Sequence, residues 1–191
     1  MSNRLRLLNR APKTLEERYF SEIRPILYER HAAHHQSGVR KGKSLAEHFD
    51  SACQFTLTVS RIAGVPEDKR AVLLATTAVH DLNKLDSSGR KVKSLARDKE
   101  FLQEQLEQAS VWSLVSGEEE LELVRKLIER HSGHNVSDGT RFLPEDPRIE
   151  QWAAMLIGAD LFDLEIPEPE RLRKVQTELR VALGRSIAIL S

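Results

Sequence analysis

The chain's length, charge and cysteine content exclude several classes of protein. At 191 residues it suits one domain and is too short for two comfortable ones. Lysine and arginine (29) balance aspartate and glutamate (29), so the protein lacks the net positive charge by which many proteins hold nucleic acid. The single cysteine, Cys53, cannot form an intrachain disulfide, and no apolar stretch reaches membrane-spanning length. These features predict a cytoplasmic protein with no membrane partner.

Helical periodicity runs through the whole chain, and no segment alternates apolar and polar residues as a strand does. Pro25 interrupts the first helical pattern, which predicts either one helix or a kinked pair of helices there. Two capping boxes predict helix starts: Ser44 with Glu47 and Ser116 with Glu119. The predicted helices cover about residues 15–35, 44–62, 67–81, 98–109, 118–130, 148–163 and 168–190. The predicted fold class is therefore all-α, a helical bundle.

The helix predicted over 67–81 is apolar on all sides, as expected of a central, buried element, and it ends in His80 and Asp81. Lys84 follows three residues later. Adjacent residues of a helix project about 100° apart, so His80 and Asp81 can reach one metal only inside a bundle that supplies further ligands. The pair predicts the centre of a buried metal site.

Further ligand candidates lie on apolar helix faces or at helix ends. His48 shares a face with Leu45 and Ala52, and Asp160 lies among apolar residues of the helix over 148–163. A carboxylate in that position is costly unless a cation or hydrogen bonds compensate it. His131 and His134 follow the end of the helix over 118–130. Taken alone, each of these residues is better explained as a hydrogen-bonded core group.

The order of these residues along the chain resembles that of the HD superfamily. Members of that superfamily bind a divalent metal through a histidine, an adjacent His-Asp pair and a distant aspartate, and additional histidines support a second metal. The resemblance covers about residues 44–163 as the core of a single HD domain over 1–191, with an N-terminal helical extension (1–43) and a C-terminal amphipathic helix (168–190). It implies the following ligands: His48, His80, Asp81 and Asp160 for the first metal, and Asp81, His131 and His134 for the second.

Two details are similar to the HD nucleases of CRISPR systems, in particular the HD domain of the large subunit of type I-D effector complexes. They are the Leu82-Asn83 spacer before Lys84 and the separated pair His131 and His134. This resemblance implies a nuclease acting on single-stranded DNA in antiviral defence. Its partners would be other effector subunits, or the rest of a longer protein of which these residues are a fragment.

The ligand types support hydrolysis independently of the resemblance. Imidazoles and carboxylates suit Mn²⁺, Ni²⁺, Co²⁺, Fe²⁺ or Zn²⁺, and no thiolate is available to select zinc. Two such ions, with Asp81 as the natural bridge, could activate water and hold a phosphate for attack. Lys84 would stabilise the negative oxygens of the transition state, or it is a solvated lysine at a helix end.

Other features leave alternatives open. His31, His34 and His35 have helical chelating spacing, but without an apolar context we interpret them as a solvated face and exclude them from the ligand set. Basic segments 40–43 and 90–99 adjoin the predicted site and either guide a phosphate backbone or are solvated surface. Two other functions fit the sequence: a phosphohydrolase of nucleotides or cyclic dinucleotides, and a non-catalytic module whose final helix docks onto a larger protein.

Overall fold

The computed structural model describes residues 13–35, 42–132, 147–162 and 169–183, and these residues are predominantly helical. Its α-helices are α1 (Leu15–Arg18), α2 (Arg24–His31), α3 (Leu45–Ile62), α4 (Glu67–Val79), α5 (Leu82–Leu85), α6 (Val92–Arg97), α7 (Lys99–Gln108), α8 (Gly117–Ser132), α9 (Pro147–Phe162) and α10 (Pro169–Leu183). Within these ranges there is no β-strand, and the only extended pairing is an isolated bridge between His35 and Ser44. The all-α prediction is confirmed. No helix in the described residues combines the length and apolarity needed to cross a bilayer.

The predicted interruption at Pro25 takes the form of a π-helical turn. Helix α1 continues through the π-helical stretch Tyr19–Ile23 into α2 without a break, and the N–H of Arg24 donates to the carbonyl of Tyr19. Pro25 has no N–H to contribute to the helical hydrogen bonds. The turn before it is π-helical, which is wider than an α-helical turn. One stripe at four-residue spacing is buried through all three stretches: Leu15, Tyr19, Ile23, Leu27 and His31. We call residues 15–31 the N-terminal rod.

One of the two predicted capping boxes forms as expected. Ser44 Oγ accepts from the N–H of Glu47, and Glu47 Oε2 accepts from the N–H of Ser44, so α3 begins where the sequence indicates. At the start of α8, the N–H of Ser116 donates to Glu120 Oε2 at 2.6 Å, one residue beyond the predicted partner Glu119. Both contacts satisfy an N–H group near the start of a helix.

Three central helices, α3, α4 and α8, separate two apolar clusters. The first cluster joins them to the N-terminal rod and to α6 and α7, through residues such as Phe49, Val79 and Ile128. The second joins them to α9 and α10, through residues such as Leu127 and Leu156. Each central helix therefore presents apolar residues to both sides, which explains why α4 lacks a polar face along most of its length.

The final helix uses its described apolar residues within the chain. Helix α10 packs against α9, and Leu179, Ala182 and Leu183 belong to the second cluster or pack against it. The side chains of Leu172 and Val175, and Ile187 as a whole, lie outside the described part of the predicted strip. The described apolar residues of α10 therefore pack within the chain, against α9 and the second cluster.

Candidate metal centre

The His80-Asp81 pair lies at a break between two helices. Helix α4 ends at Val79, two residues earlier than predicted, and α5 begins at Leu82. Asp81 has φ −90° and ψ 53°, which are not helical values. The two side chains therefore do not obey the 100° separation of neighbouring helical residues, and both can point into one site.

His80 completes the last turn of α4. Its Nδ1 atom lies 2.7 Å from the carbonyl oxygen of Thr77, one of the carbonyls that a helix end leaves without an intrahelical partner. When Nδ1 donates to this carbonyl, Nε2 carries a lone pair, which is the form that binds a metal. Thr77 was not among the predicted site residues. Its position, three residues before a histidine at a helix end, is the signal that could have identified it.

Three side chains from two other parts of the chain meet around the Nε2 atom of His48. That atom lies 3.2 Å from His80 Nε2, 3.2 Å from Asp81 Oδ2 and 3.5 Å from Asp160 Oδ1. His80 Nε2 lies 3.6 Å from Asp160 Oδ1 and 3.8 Å from Asp81 Oδ2. The ligand atoms of all four residues lie within 4.8 Å of one another. We call His48, His80, Asp81 and Asp160 the His/Asp cluster.

The spacing and chemistry of this cluster fit a divalent cation. Ligands about 2.1 Å from a tetrahedrally coordinated ion lie about 3.4 Å from one another, close to the separations measured here. Two imidazoles with two carboxylates form a donor set suited to first-row transition metals. The cluster can therefore hold one metal ion, and its donors do not determine which ion.

Burial and charge of the two carboxylates also suit a cation site. The side chains of His48 and His80 are fully buried, while those of Asp81 and Asp160 are 13% and 22% exposed, so the histidines form the floor and the aspartates face the opening. Burial by itself raises the pKa of Asp81, but neighbouring His80 and His48 outweigh it and leave that pKa well below its ordinary value. Burial likewise opposes ionisation of Asp160, whereas His131 and His80 bring its pKa well below the usual range.

His131 lies beside the cluster and contacts Asp160. Its Nε2 atom is 3.4 Å from Asp160 Oδ2, and its ring centroid is 5.0 Å from that of His80. Its buried Nδ1 atom has no hydrogen-bond partner in the described part of the chain. Asp160 therefore has Oδ1 facing His48 and His80 and Oδ2 facing His131. The bridge between two metals by Asp81 stays a prediction. His134, predicted as a further ligand, lies outside the described residues.

Lys84 lies at the opening of the site. Helix α5 places its ammonium group in direct contact with Asp81 Oδ2, and the side chain is 30% exposed. The predicted proximity of Lys84 to the His-Asp pair is therefore present in the fold. A partly exposed cation here adds positive charge beside the ligand carboxylate, where it could stabilise an anionic substrate.

A second contact that the sequence analysis missed joins the helices of His131 and Asp160. Arg130 donates through Nε and one terminal nitrogen to the carboxylate of Glu150, at 3.0 and 3.3 Å. Both side chains are largely buried, and the two-pronged geometry resists rotation of α8 against α9. Neither residue stands out in sequence, because the partners are distant along the chain.

The three N-terminal histidines do not join the cluster. Among the described residues, the His/Asp cluster is the only group with metal-ligand spacing, which agrees with the exclusion of His31, His34 and His35 from the ligand set. The prediction of a solvated face holds for His34 and His35 but is wrong for His31, which is 6% exposed. His31 is buried because it continues the apolar stripe of the N-terminal rod.

Several residues of the second basic segment already have acidic partners. Arg90 pairs with Asp86 and Asp98, Arg97 contacts Glu129 at 2.6 Å, and Lys99 contacts Glu118 at 2.7 Å. Their charges are partly compensated within the chain, which weakens their attraction for a phosphate backbone. In the first basic segment, Arg40 and Lys41 lie outside the described residues.

Comparison of the chain with protein-family models, curated proteins and solved structures finds no match. The resemblance to HD proteins rests on the ligand residues and their order alone.

Proposed function

We propose that this protein is a divalent-metal-dependent phosphodiesterase of the HD type that cleaves single-stranded DNA, acting as the nuclease part of a CRISPR interference complex. The observation that carries the proposal is the convergence of His48, His80, Asp81 and Asp160 within one buried cluster. A structural role for these residues as ordinary core groups would not require two carboxylates and two imidazoles to meet at ligand spacing.

The chain's own residues account for binding and charge stabilisation. His48 and His80 would bind a metal through Nε2, and the carbonyl of Thr77 holds His80 in the required tautomer. Asp81 and Asp160, kept ionised by their neighbours, would balance the charge of the cation. A bound divalent ion would act as a Lewis acid on the phosphate and lower the pKa of an attacking water. Lys84 would stabilise the negative charge that develops on the phosphate oxygens.

The partial exposure of the candidate site supports an extended or polymeric substrate. Asp160, Asp81 and Lys84 are each partly exposed, whereas both histidines are fully buried. The cavity of about 320 Å³ formed by described residues of α6, α7 and α8 has none of the cluster residues in its lining. That cavity therefore offers no base-recognition pocket at the metal centre. Because the chain has no net charge, we expect partner subunits to deliver the strand.

The decisive experiment measures cleavage by the purified chain, with and without Mn²⁺ or Ni²⁺, of labelled single-stranded DNA and of a panel of nucleotides and cyclic dinucleotides. We expect metal-dependent cleavage of the DNA. Asp81→Ala should abolish this activity and leave the helical circular dichroism signal unchanged. Asp68→Ala is the matched control, because Asp68 is an exposed carboxylate in the first turn of the helix that leads to His80.

The alternatives give different results in the same assay. Phosphate release from nucleotides with intact DNA would replace the nuclease proposal by a nucleotide phosphohydrolase. Full DNA cleavage by Asp81→Ala would remove the His/Asp cluster from the chemistry. Metal binding without hydrolysis of any substrate, in the presence of added partner subunits, would leave a structural metal site.

A further inference from the structure

The ring of Phe49 is fully buried between three imidazoles. Its centroid lies 5.5 Å from that of His80 with an interplanar angle of 77°, and 5.6 Å from that of His31 with an angle of 71°. The ring of His48, the preceding residue on α3, lies 5.7 Å away at 33°. The two larger angles are edge-to-face arrangements, which aromatic rings favour over stacked faces. Phe49 therefore contacts both histidines of the His/Asp cluster and one histidine outside it.

This contact restricts the orientations available to the two ligand rings. The Nδ1 atom of His80 already lies 2.7 Å from the carbonyl oxygen of Thr77. The imidazole ring can still rotate and tilt about that contact. The edge-to-face contact with Phe49 opposes such movement. The ring of His48 is confined by the same side chain and by its 3.2 Å approach to His80. The surroundings of metal-binding histidines set ring orientation and solvent access, and thereby affinity for the metal.

The N-terminal rod supports Phe49 from the opposite side. His31, the last buried residue of the rod, contacts the Phe49 ring and is itself 6% exposed. Burial lowers the pKa of His31 to about 4, so this imidazole is neutral at neutral pH and suits an apolar contact. The next residue after Phe49, Asp50, accepts hydrogen bonds from Tyr19, Arg24 and Tyr28 of the rod. The rod is therefore tied to α3 at the level of Phe49.

We propose that Phe49, supported by His31, is a positioning residue of the metal centre, which holds the imidazoles of His48 and His80 in the orientation that one divalent cation requires without contacting the cation itself. This inference depends on the metal binding that the proposed function assumes. It assigns the N-terminal rod, which contributes no ligand to the cluster, a part in the affinity of the site.

The test measures Co²⁺ binding to the full chain by calorimetry, together with the visible absorption spectrum of the bound ion, which reports ligand geometry. Phe49→Leu keeps an apolar side chain but removes the ring. We expect it to raise the Kd for Co²⁺ by about 10- to 100-fold, the range found when groups behind metal ligands are changed, and to alter the spectrum. Leu57→Ala is the control, because Leu57 is buried on the same helix beyond Phe49 and should lower stability without changing Kd or spectrum.

A second variant covers the case in which Phe49→Leu does not fold. His31→Leu leaves Phe49 in place and removes the imidazole ring that packs edge-to-face against it. We expect a severalfold rise in the Kd for Co²⁺ with a native circular dichroism spectrum. Wild-type Kd and spectrum in a folded Phe49→Leu protein would overturn the inference while leaving the proposed function standing. Equal weakening by Leu57→Ala would also overturn it, because a general loss of stability would then explain the effect. Absence of Co²⁺ binding by the wild-type chain would overturn the metal centre itself.

Discussion

At the scale of single residues, Asp81 holds a carboxylate in a largely buried position. The same oxygen, Oδ2, contacts Lys84 and lies 3.2 Å from His48 Nε2. An ionised carboxylate in this largely buried position is costly unless cations or donors compensate it, and Lys84 and the two histidines provide that compensation. The arrangement concentrates charge at the point where α4 and α5 meet.

Lys84 can be separated experimentally from the metal ligands. In Lys84→Met the positive charge is lost and the four cluster residues are kept, so we expect kcat for DNA cleavage to fall by about 100-fold with no weaker metal binding. Lys84→Arg should retain more activity because it keeps the charge. Lys126→Met, which removes an exposed lysine of α8, is the control and should cleave at the wild-type rate. An unchanged kcat in Lys84→Met would reduce Lys84 to a helix-end cation.

At the scale of elements, the attachment of the N-terminal rod to α3 depends on one carboxylate. Asp50 is 5% exposed and accepts from Tyr19 and Gln54 at Oδ1 and from Arg24 and Tyr28 at Oδ2. Burial alone would raise its pKa, but these four hydrogen bonds outweigh burial and leave the pKa below the ordinary value. Each carboxylate oxygen accepts two hydrogen bonds, so Asp50 stabilises the fold as long as it stays ionised.

Replacing Asp50 should destabilise the protein in a pH-dependent way. Asp50→Asn keeps the shape but loses the charge, and we expect the free energy of unfolding in urea to fall by about 1 to 3 kcal/mol at pH 7. Because folding lowers the pKa of Asp50, its stabilisation is present above the unfolded-state pKa of about 4 and is lost as pH falls from there through the lower folded-state pKa. The difference between wild type and variant should therefore shrink in acid.

The exposed carboxylate Asp68 provides the comparison for this measurement. Its side chain is 64% exposed and contacts Lys69 at 3.3 Å, so Asp68→Asn should change stability by less than about 1 kcal/mol. A constant difference between wild type and Asp50→Asn from pH 7 to pH 3 would contradict the assigned ionisation.

At the scale of the whole molecule, the candidate site lies where separate parts of the fold meet. His48 comes from α3, the His80-Asp81 pair from the junction of α4 and α5, and Asp160 from α9. Helices α3 and α4 pack directly against each other, and both contact α9. A ligand that binds all four side chains would therefore join the central helices to α9 and should stabilise the fold as a unit.

We therefore expect divalent metal to raise the melting temperature. At a free metal concentration 100 times Kd, binding contributes about 2.7 kcal/mol. For a chain of this size that corresponds to a rise of about 5 to 10 °C. Circular dichroism melts with Mn²⁺ or Co²⁺, and again after adding a chelator, would measure it. Asp160→Asn should remove most of the shift. An equal shift in that variant would place the metal elsewhere.

The sequence by itself determined the helical class and the start of α3, and it singled out the cluster residues as candidates. The spacing of apolar residues, the capping residues and the presence of a polar residue on an apolar face are local properties. Each depends on residues close together in the chain. His48 and Asp160 stood out as candidates because a buried imidazole or carboxylate is costly without a partner, and the HD resemblance implied their grouping with His80 and Asp81. Even the exclusion of His34 and His35 from the ligand set followed from their local surroundings.

Only the tertiary structure decided how these residues are arranged. The break at Asp81 cannot be read from an apolar pattern that continues to Val79, and it is what lets adjacent residues face one site. The closeness of His131 to Asp160, the Arg130 to Glu150 contact and the burial of His31 depend on distant segments packing together. Such contacts have no signature in a local window, because the free energy that fixes them comes from burial of surfaces contributed by different helices.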